Sequence, residues 1–401
     1  MTALPAVTPR PRGVPERAGP AMVLAIVLLA INMRTVLASL PPLVADVRAD
    51  LGLSGAVAGL LTTLPVLCLG ALAPLAPRLV SRIPVERALV LCAAVTAAGA
   101  GIRGAGTTAA LFAGGLLAGV AIALGQALVP ILIRGRFARQ AGMLTGAFSM
   151  ALVLGSALAA AAAVPLAEAF GDSWAASLAF WATPAALAAI VWLRWGLGPG
   201  TLVQRGGGAA LRGSALAWSV AGFFGIQSMA FYASLSWIPT ILEDAGWSDE
   251  AAGGLLALAS LVGLLPAFVI PVVASRSRTQ LRPLAAVVGL PLAGLLGVLA
   301  APDAAPLWMV LIGIGQSGAL GLALLLPLQR GGDAATAAAL TAMALCVGYL
   351  VAATGPWLLG AVHDWSGGWT APLVVLIAIT AAELIPGVPA ALDRAIRAES
   401  P

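Results

Sequence analysis

Ile31-Asn32-Met33-Arg34-Thr35-Val36 interrupts an apolar run that extends from Ala21 to Val44. A run of this length, at about 1.5 Å of rise per residue, crosses the roughly 30 Å hydrocarbon core of a bilayer as a helix. Asn32 and Arg34 then fall near its middle. A guanidinium at that depth costs roughly 2.5–3.5 kcal/mol on insertion scales, so it is expected to face a bundle interior or a wet cavity rather than lipid. Two readings compete for Arg34. In one it meets an anionic or polar ligand. In the other it ties helices together through backbone carbonyls or a buried acid. Intramembrane charge defaults to function, which favours the ligand.

The rest of the composition agrees with a membrane class. The chain of 401 residues is 61% hydrophobic and 9% charged, with a mean hydropathy of +1.02. Soluble domains carry roughly 25% charged residues. All 21 basic residues are arginine, and the net charge of +5 is spread over short loops, so no nucleic-acid partner is expected. Cys68, Cys92 and Cys346 lie inside apolar runs without disulfide or metal spacing. The tail Met1–Pro20 is rich in Pro and Arg. The run after it is too long for a signal peptide and lacks a small-x-small cleavage site, which makes it a retained first span.

Apolar segments recur at about 30-residue spacing, near 21–44, 55–77, 86–104, 107–132, 141–165, 174–195, 215–241, 250–274, 283–301, 306–328, 335–360 and 370–391. Pro65, Pro130, Pro239, Pro266 and Pro327 are expected to kink these helices. The alternate loops divide by charge. One set holds 18 arginines; the opposite set holds Arg48 and Arg103 with Asp46, Asp50, Glu168, Asp172, Glu243, Asp244, Asp249, Glu250, Asp303 and Asp364. The positive-inside rule then places both termini in the cytoplasm and requires an even number of spans.

The two halves resemble each other. A shift of 195 residues lays Ala38-Ser39-Leu40 on Ala233-Ser234-Leu235 and Asn32 on Gln227. A shift of 193 lays Met150-Ala151-Leu152 on Met343-Ala344-Leu345. The expected architecture is an all-α membrane protein of twelve transmembrane helices in two six-helix, pseudo-symmetric bundles, with a midplane site between them. The expected organisation is a tail at 1–20, a first bundle at 21–195, a cytoplasmic linker at 196–213, a second bundle at 214–392 and a tail at 393–401.

Several stretches carry a family likeness. They are Ile31-Asn32-Met33-Arg34, Leu40-Pro41-Pro42-Leu43, Arg48-Ala49-Asp50-Leu51-Gly52-Leu53-Ser54, Ala58-Gly59-Leu60-Leu61-Thr62-Thr63-Leu64-Pro65-Val66 and Leu72-Ala73-Pro74-Leu75-Ala76-Pro77-Arg78. Gly225-Ile226-Gln227-Ser228, Gly313-Ile314-Gly315-Gln316 and Gly348-Tyr349-Leu350 extend it. Together they resemble the cyanate/nitroimidazole transporter (CynX/NimT) branch of the major facilitator superfamily, over residues 22–390. The superfamily's usual acid–arginine pair after the second span is missing from Pro77-Arg78-Leu79-Val80-Ser81-Arg82.

The resemblance implies a cavity lined by spans 1, 4, 7 and 10 and parts of 5 and 11. The polar residues on those spans are Arg34, Asn32, Gln126, Ser149, Gln227, Tyr232, Gln316 and Tyr349. These are the candidate substrate-binding residues. Amides donate and accept, which suits a small polar ligand. Arg34 adds a fork for a planar anion such as a carboxylate. Each amide has an alternative role as an interhelical hydrogen bond. Trp237 either caps the site or belongs to the interfacial belt. Glu383 is expected to be structural or to snorkel.

No catalytic set is expected: His363 is the one histidine, and neither a metal cluster nor a cofactor loop is present. The function expected is secondary transport of a small polar or anionic organic solute by alternating access around Arg34, in a monomer of the bacterial inner membrane. The competing transport reading is efflux of neutral, drug-like aromatics with Arg34 structural. A receptor would need a signalling domain, a membrane enzyme would need clustered His, Cys or acids, and a channel would need a continuous pore.

Overall fold

The computed structural model describes residues 19–196 and 211–396. Within them the chain forms twelve membrane-length helices: α1 (Pro20–Ala38), α2 (Gly55–Leu72), α3 (Val85–Arg103), α4 (Thr108–Arg136), α5 (Ala141–Ala169), α6 (Trp174–Arg194), α7 (Ala215–Asp244), α8 (Ala251–Arg276), α9 (Leu281–Ala300), α10 (Ala305–Arg330), α11 (Ala334–Ser366) and α12 (Thr370–Ala391). Eleven stretches are long and apolar enough to cross a membrane by themselves. The twelfth is α2, which continues through a tight turn to Val80. The tail 1–18 and linker residues 197–210 lie outside the described residues.

Proline sets the helix interruptions. α6, α8, α11 and α12 each lose helical regularity at one residue: Trp181, Gly263, Ala353 and Glu383. A proline stands three positions later in every case, at Pro184, Pro266, Pro356 and Pro386. Proline has no N–H for the carbonyl four residues back, and its ring crowds that carbonyl. Of the kinks expected from sequence, only Pro266 adjoins such a break. The helices run uninterrupted through Pro65, Pro130, Pro239 and Pro327. α1 also ends earlier than the apolar run suggests, at Ala38, because Pro41 and Pro42 supply no N–H to continue it. A short helix, Val44–Leu51, then carries Asp46 and Asp50.

The helices pack as two groups of six. In the first, α1 lies on α5 and α6, and α3 and α2 lie on α4; in the second, α7 lies on α11 and α12, and α10 on α8 and α9. The groups meet through α5 against α8, α2 against α11, and α4 and α5 against α10. The apolar core shows how far that junction extends. One cluster joins both groups, running from Met22–Val36 of α1 to Phe224, Leu324–Leu326 and Leu345. Two smaller clusters are each confined to one group. One holds Ala230, Ile238, Leu242 and Met309; the other holds Leu40, Leu43, Leu111 and Leu178. The shared cluster reaches the arginine-rich end of the helices, and the separate ones lie at the acidic end. The molecule is therefore closed at the arginine-rich end, and its two halves part towards the acidic end.

Close helix contacts fix the position of α1. At Gly155 of α5 a Cβ would run into the carbonyl of Ile31. Gly155→Leu is expected to displace α1 and to cost about 1–3 kcal/mol through overpacking. A lowered unfolding temperature of the purified protein would register it; an unchanged one would show that α1 is held elsewhere.

Asp333 begins α11. Its carboxylate accepts from the Thr336 N–H at 2.8 Å and from the Thr336 hydroxyl at 2.9 Å. The hydrogen bond from the Thr336 N–H, foremost, holds the carboxyl below its usual value. A depressed folded-state pKa gives stability that is present above the unfolded value of about 3.9 and is lost as pH falls through the folded value. Asp333→Ala should cost about 1 kcal/mol at neutral pH. Thermal melts of the two proteins should draw together as pH falls below about 4 and through the folded-state value; a gap that does not narrow with falling pH would assign the effect to something other than the ionised cap.

Candidate functional site

Arg34 projects from α1 towards the second group of helices. Its Nη1 donates to the Tyr232 Oη of α7 at 3.3 Å, and its Nη2 donates to the Tyr349 Oη of α11 at 3.2 Å. Gln126 of α4 donates through Nε2 to the same Tyr349 Oη at 2.5 Å. These are the only two tyrosines in the chain, and both phenols converge on one guanidinium. Among the described residues no carboxylate lies within ion-pair distance of Arg34.

The supporting contacts hold the phenols in place. The Phe224 ring meets Tyr349 edge-on with centroids 5.6 Å apart, and Phe231 meets Tyr232 in the same way at 5.4 Å. Gly348 admits the Phe224 ring where any Cβ would collide with it. Tyr349 and Gln126 are buried, while Arg34 and Tyr232 are partly exposed. Each phenol accepts from the guanidinium and retains its own O–H. The Arg34 fork has N–H groups beyond the two it uses here, and the buried Gln126 Oε1 has no hydrogen-bond partner among the described residues. The cluster thus offers several donors, one orphan acceptor and a full positive charge at the junction of the two halves.

The family model for the Major Facilitator Superfamily matches residues 22–356. The chain belongs to the major facilitator superfamily. Its relatives place it in the CynX/NimT branch. It is 35% identical to the 2-nitroimidazole transporter of Escherichia coli K12, over 94% of this chain and 96% of that protein. It is 32% identical to the cyanate transport protein CynX of the same organism, over 87% and 91%. The structure of the proton:xylose symporter XylE bound to 6-bromo-6-deoxy-D-glucose superposes with a TM-score of 0.70 at 13% identity, covering 94% of this chain and 97% of that one.

The remaining polar candidates of this facilitator do not join the Arg34 cluster. Asn32 is buried and turns towards its own half. Its Nδ2 donates to the carbonyls of Leu28 at 2.8 Å and Pro184 of α6 at 3.1 Å. Gln227 donates to the Phe224 carbonyl at 3.1 Å and the Ser228 hydroxyl at 2.6 Å, both on its own helix. The repeat places Asn32 and Gln227 at equivalent positions, yet their amides donate to carbonyls of their own half and, for Gln227, to the neighbouring Ser228 hydroxyl. Ser149 donates to Ala267 O of α8 at 2.5 Å and so pins α5 to α8. Gln316 of α10 donates to Ser234 Oγ of α7 at 2.8 Å.

Other expectations of this facilitator resolve similarly. Trp237 donates to the Pro356 carbonyl at 2.7 Å and packs on Trp369, so it belongs to the acidic end and not to the Arg34 cluster. His363 sits in the last turn of α11, stacked on Trp369 at 4.1 Å. Glu383 is buried at the break in α12, with Oε2 unpartnered, so it does not snorkel. The acid–arginine pairing missing from the loop after α2 has a local counterpart in Glu86 of α3 and Arg136 of α4, 3.5 Å apart.

One buried residue escapes the sequence reading. Arg103 was expected in a loop at the acidic end. It is the last residue of α3 and is 2% exposed. Its Nη1 donates at 2.7 Å to the carbonyl of Val36, two residues beyond Arg34, where α1 is about to end. Terminal carbonyls of a helix have no intrahelical donor and need one from elsewhere. Arg103 supplies it, which makes it a positioning residue for the end of α1. The signal was one of only two arginines at the acidic end, with no acid beside it in sequence.

Proposed function

We propose that this transporter moves a small polar or anionic solute carrying acceptor oxygens or a delocalised negative charge, with Arg34 as the main binding group. The observation that carries the reading is an intramembrane guanidinium with no carboxylate partner among the described residues, held by two phenols from the opposite half. Arginine's planar fork suits carboxylate-like acceptor pairs. The named relatives handle a nitro-substituted heterocycle and the cyanate anion; both are compact and present terminal acceptor atoms. Arg34, Gln126, Tyr232 and Tyr349 form the proposed site. Asn32, Gln227 and Ser149 brace the helices around it, and Gln316 links α10 to α7 beside it.

The charge distribution of the loops puts the arginine-rich end, and with it both termini, in the cytoplasm of a bacterial inner membrane. The conformer described is then outward-facing. Arg34 and Gln126 belong to one half, and the two tyrosines to the other. A solute that takes over the guanidinium's N–H groups competes with the bond that joins the halves, which couples binding to their rocking.

Uptake into proteoliposomes tests this reading. Cyanate, small carboxylates and a nitroimidazole, offered one by one, should include at least one solute that enters protein-containing vesicles faster than empty ones. Failure of every one of them would overturn the substrate class. A carboxy-terminal reporter should be active in the cytoplasm; activity on the outer face would overturn the orientation.

A further inference from the structure

The arginine-rich end holds a second concentration of charge that the Arg34 site does not use. A cavity of about 710 Å³ lies there between the two halves. Its first wall is residues 138–143, leading into α5, together with Arg134 at the end of α4. Its second wall is residues 275–278 and Gln280, at and just beyond the end of α8, together with the end of α10. The guanidinium groups of Arg134, Arg139, Arg276, Arg278 and Arg330 line it, against one carboxylate, Asp393.

Only part of this charge is committed. Arg134 Nη2 donates to the Gly331 carbonyl at 3.0 Å, which ties α4 to the turn after α10. Arg330 donates to the Ala390 carbonyl at 2.7 Å and to Gln280 Oε1. Arg276 and Arg278 are exposed and make no ion pair among the described residues. Like charges thus face each other across the seam that closes this end, and their repulsion opposes closure. An anion seated between them reverses that balance. The apolar groups of Met143, Val272 and Leu328 complete the lining and lead up the α5–α8 seam towards the bilayer core.

We propose that this cavity binds a phosphate-bearing anion, either the headgroup of an anionic phospholipid from the adjoining leaflet or free phosphate. Basic pockets between transmembrane helices at the cytoplasmic face suit such groups, and guanidinium forks match phosphate oxygens. Both halves supply ligands, so the site exists only while this end is closed. Occupancy therefore favours the conformer that is open at the acidic end. The proposal rests on the cytoplasmic placement of the arginine-rich end and on the rocking of the halves.

The test uses the purified full chain in neutral detergent. Its unfolding temperature is followed with short-chain phosphatidylglycerol, with phosphatidylcholine of the same chain length and with inorganic phosphate. Wild type is compared with the double variant Arg276→Gln/Arg278→Gln, which breaks no ion pair among the described residues and, because it lowers the repulsion across the seam, should melt no lower than wild type without additive. Phosphatidylglycerol should raise the wild-type melting temperature, phosphatidylcholine should not, and the double variant should lose more than half of the rise. A phosphate effect with the same sensitivity assigns a soluble anion as the source. A phosphatidylglycerol effect without one assigns the lipid. Equal shifts from both lipids, a full shift retained in the double variant, or no shift from either anion overturns the proposal. Arg34→Ala should keep the headgroup effect, so failure at this site and failure at the Arg34 site are read separately.

Discussion

Arg34→Ala is expected to abolish transport while folded protein remains in the membrane. The substitution removes the guanidinium that both phenols address. Two hydrogen bonds from a charged donor to a bound anion contribute on the order of 1.5–3 kcal/mol each, so affinity should fall by about 10²- to 10⁴-fold. Arg34→Lys separates charge from geometry. An ammonium keeps the charge but cannot span two acceptors with a planar fork. It should retain only a small fraction of transport. Full activity in Arg34→Lys would show that a point charge suffices, and full activity in Arg34→Ala would remove Arg34 from the site. Size-exclusion profiles of both variants distinguish lost binding from lost folding.

Tyr349→Phe should produce the next largest loss. Its Oη accepts from Arg34 Nη2 and from Gln126 Nε2, and Gln126 is 1% exposed. Removing the hydroxyl leaves a buried amide donor unsatisfied and unlocks one arm of the guanidinium. An orphaned buried donor costs about 1–3 kcal/mol, which corresponds to roughly a 10- to 100-fold change if it appears in affinity. Tyr232→Phe removes one bond at a partly exposed phenol and should cost less. Equilibrium binding of any solute found to be transported ranks the two variants. Equal affinity in wild type and Tyr349→Phe would show that the phenol is a spacer and not part of the recognition surface.

The membrane architecture was legible because hydropathy reports directly on length and burial in a bilayer. The span positions, the two-group arrangement and Arg34 all follow from apolar runs and the cost of a charge inside one. The interruptions were less legible. Pro65, Pro130, Pro239 and Pro327 sit in helices that continue through them, whereas Pro184, Pro356 and Pro386 accompany breaks. Sequence shows each missing N–H but not whether the neighbouring helix tolerates the free carbonyl. At Pro184 and Pro356 the proline's own carbonyl also meets a side-chain donor, from Asn32 and Trp237 respectively.

The candidate site was legible in part. Arg34, Gln126, Tyr232 and Tyr349 were all singled out, but their convergence was not, because it joins four helices from two halves. The repeat relates Asn32 to Gln227, but in this conformer neither amide joins the Arg34 cluster. Equivalent positions along a helix do not fix which way an amide turns when a carbonyl of its own half lies closer. Arg103 was hidden for the opposite reason. Loop bookkeeping counts a charge near a helix end as solvated, and only packing shows that it has folded back onto α1.

The guanidinium of Arg34 is proposed to bind an anion or another acceptor-bearing solute at the junction of the halves. A thermal-shift comparison of wild type and Arg34→Ala, against a panel of small anions and neutral planar heterocycles, tests it most directly. At least one anion or nitro-heterocycle should raise the wild-type melting temperature and leave the variant unmoved. Stabilisation by neutral aromatic compounds alone, equal in the two proteins, would contradict it and make Arg34 a structural tie.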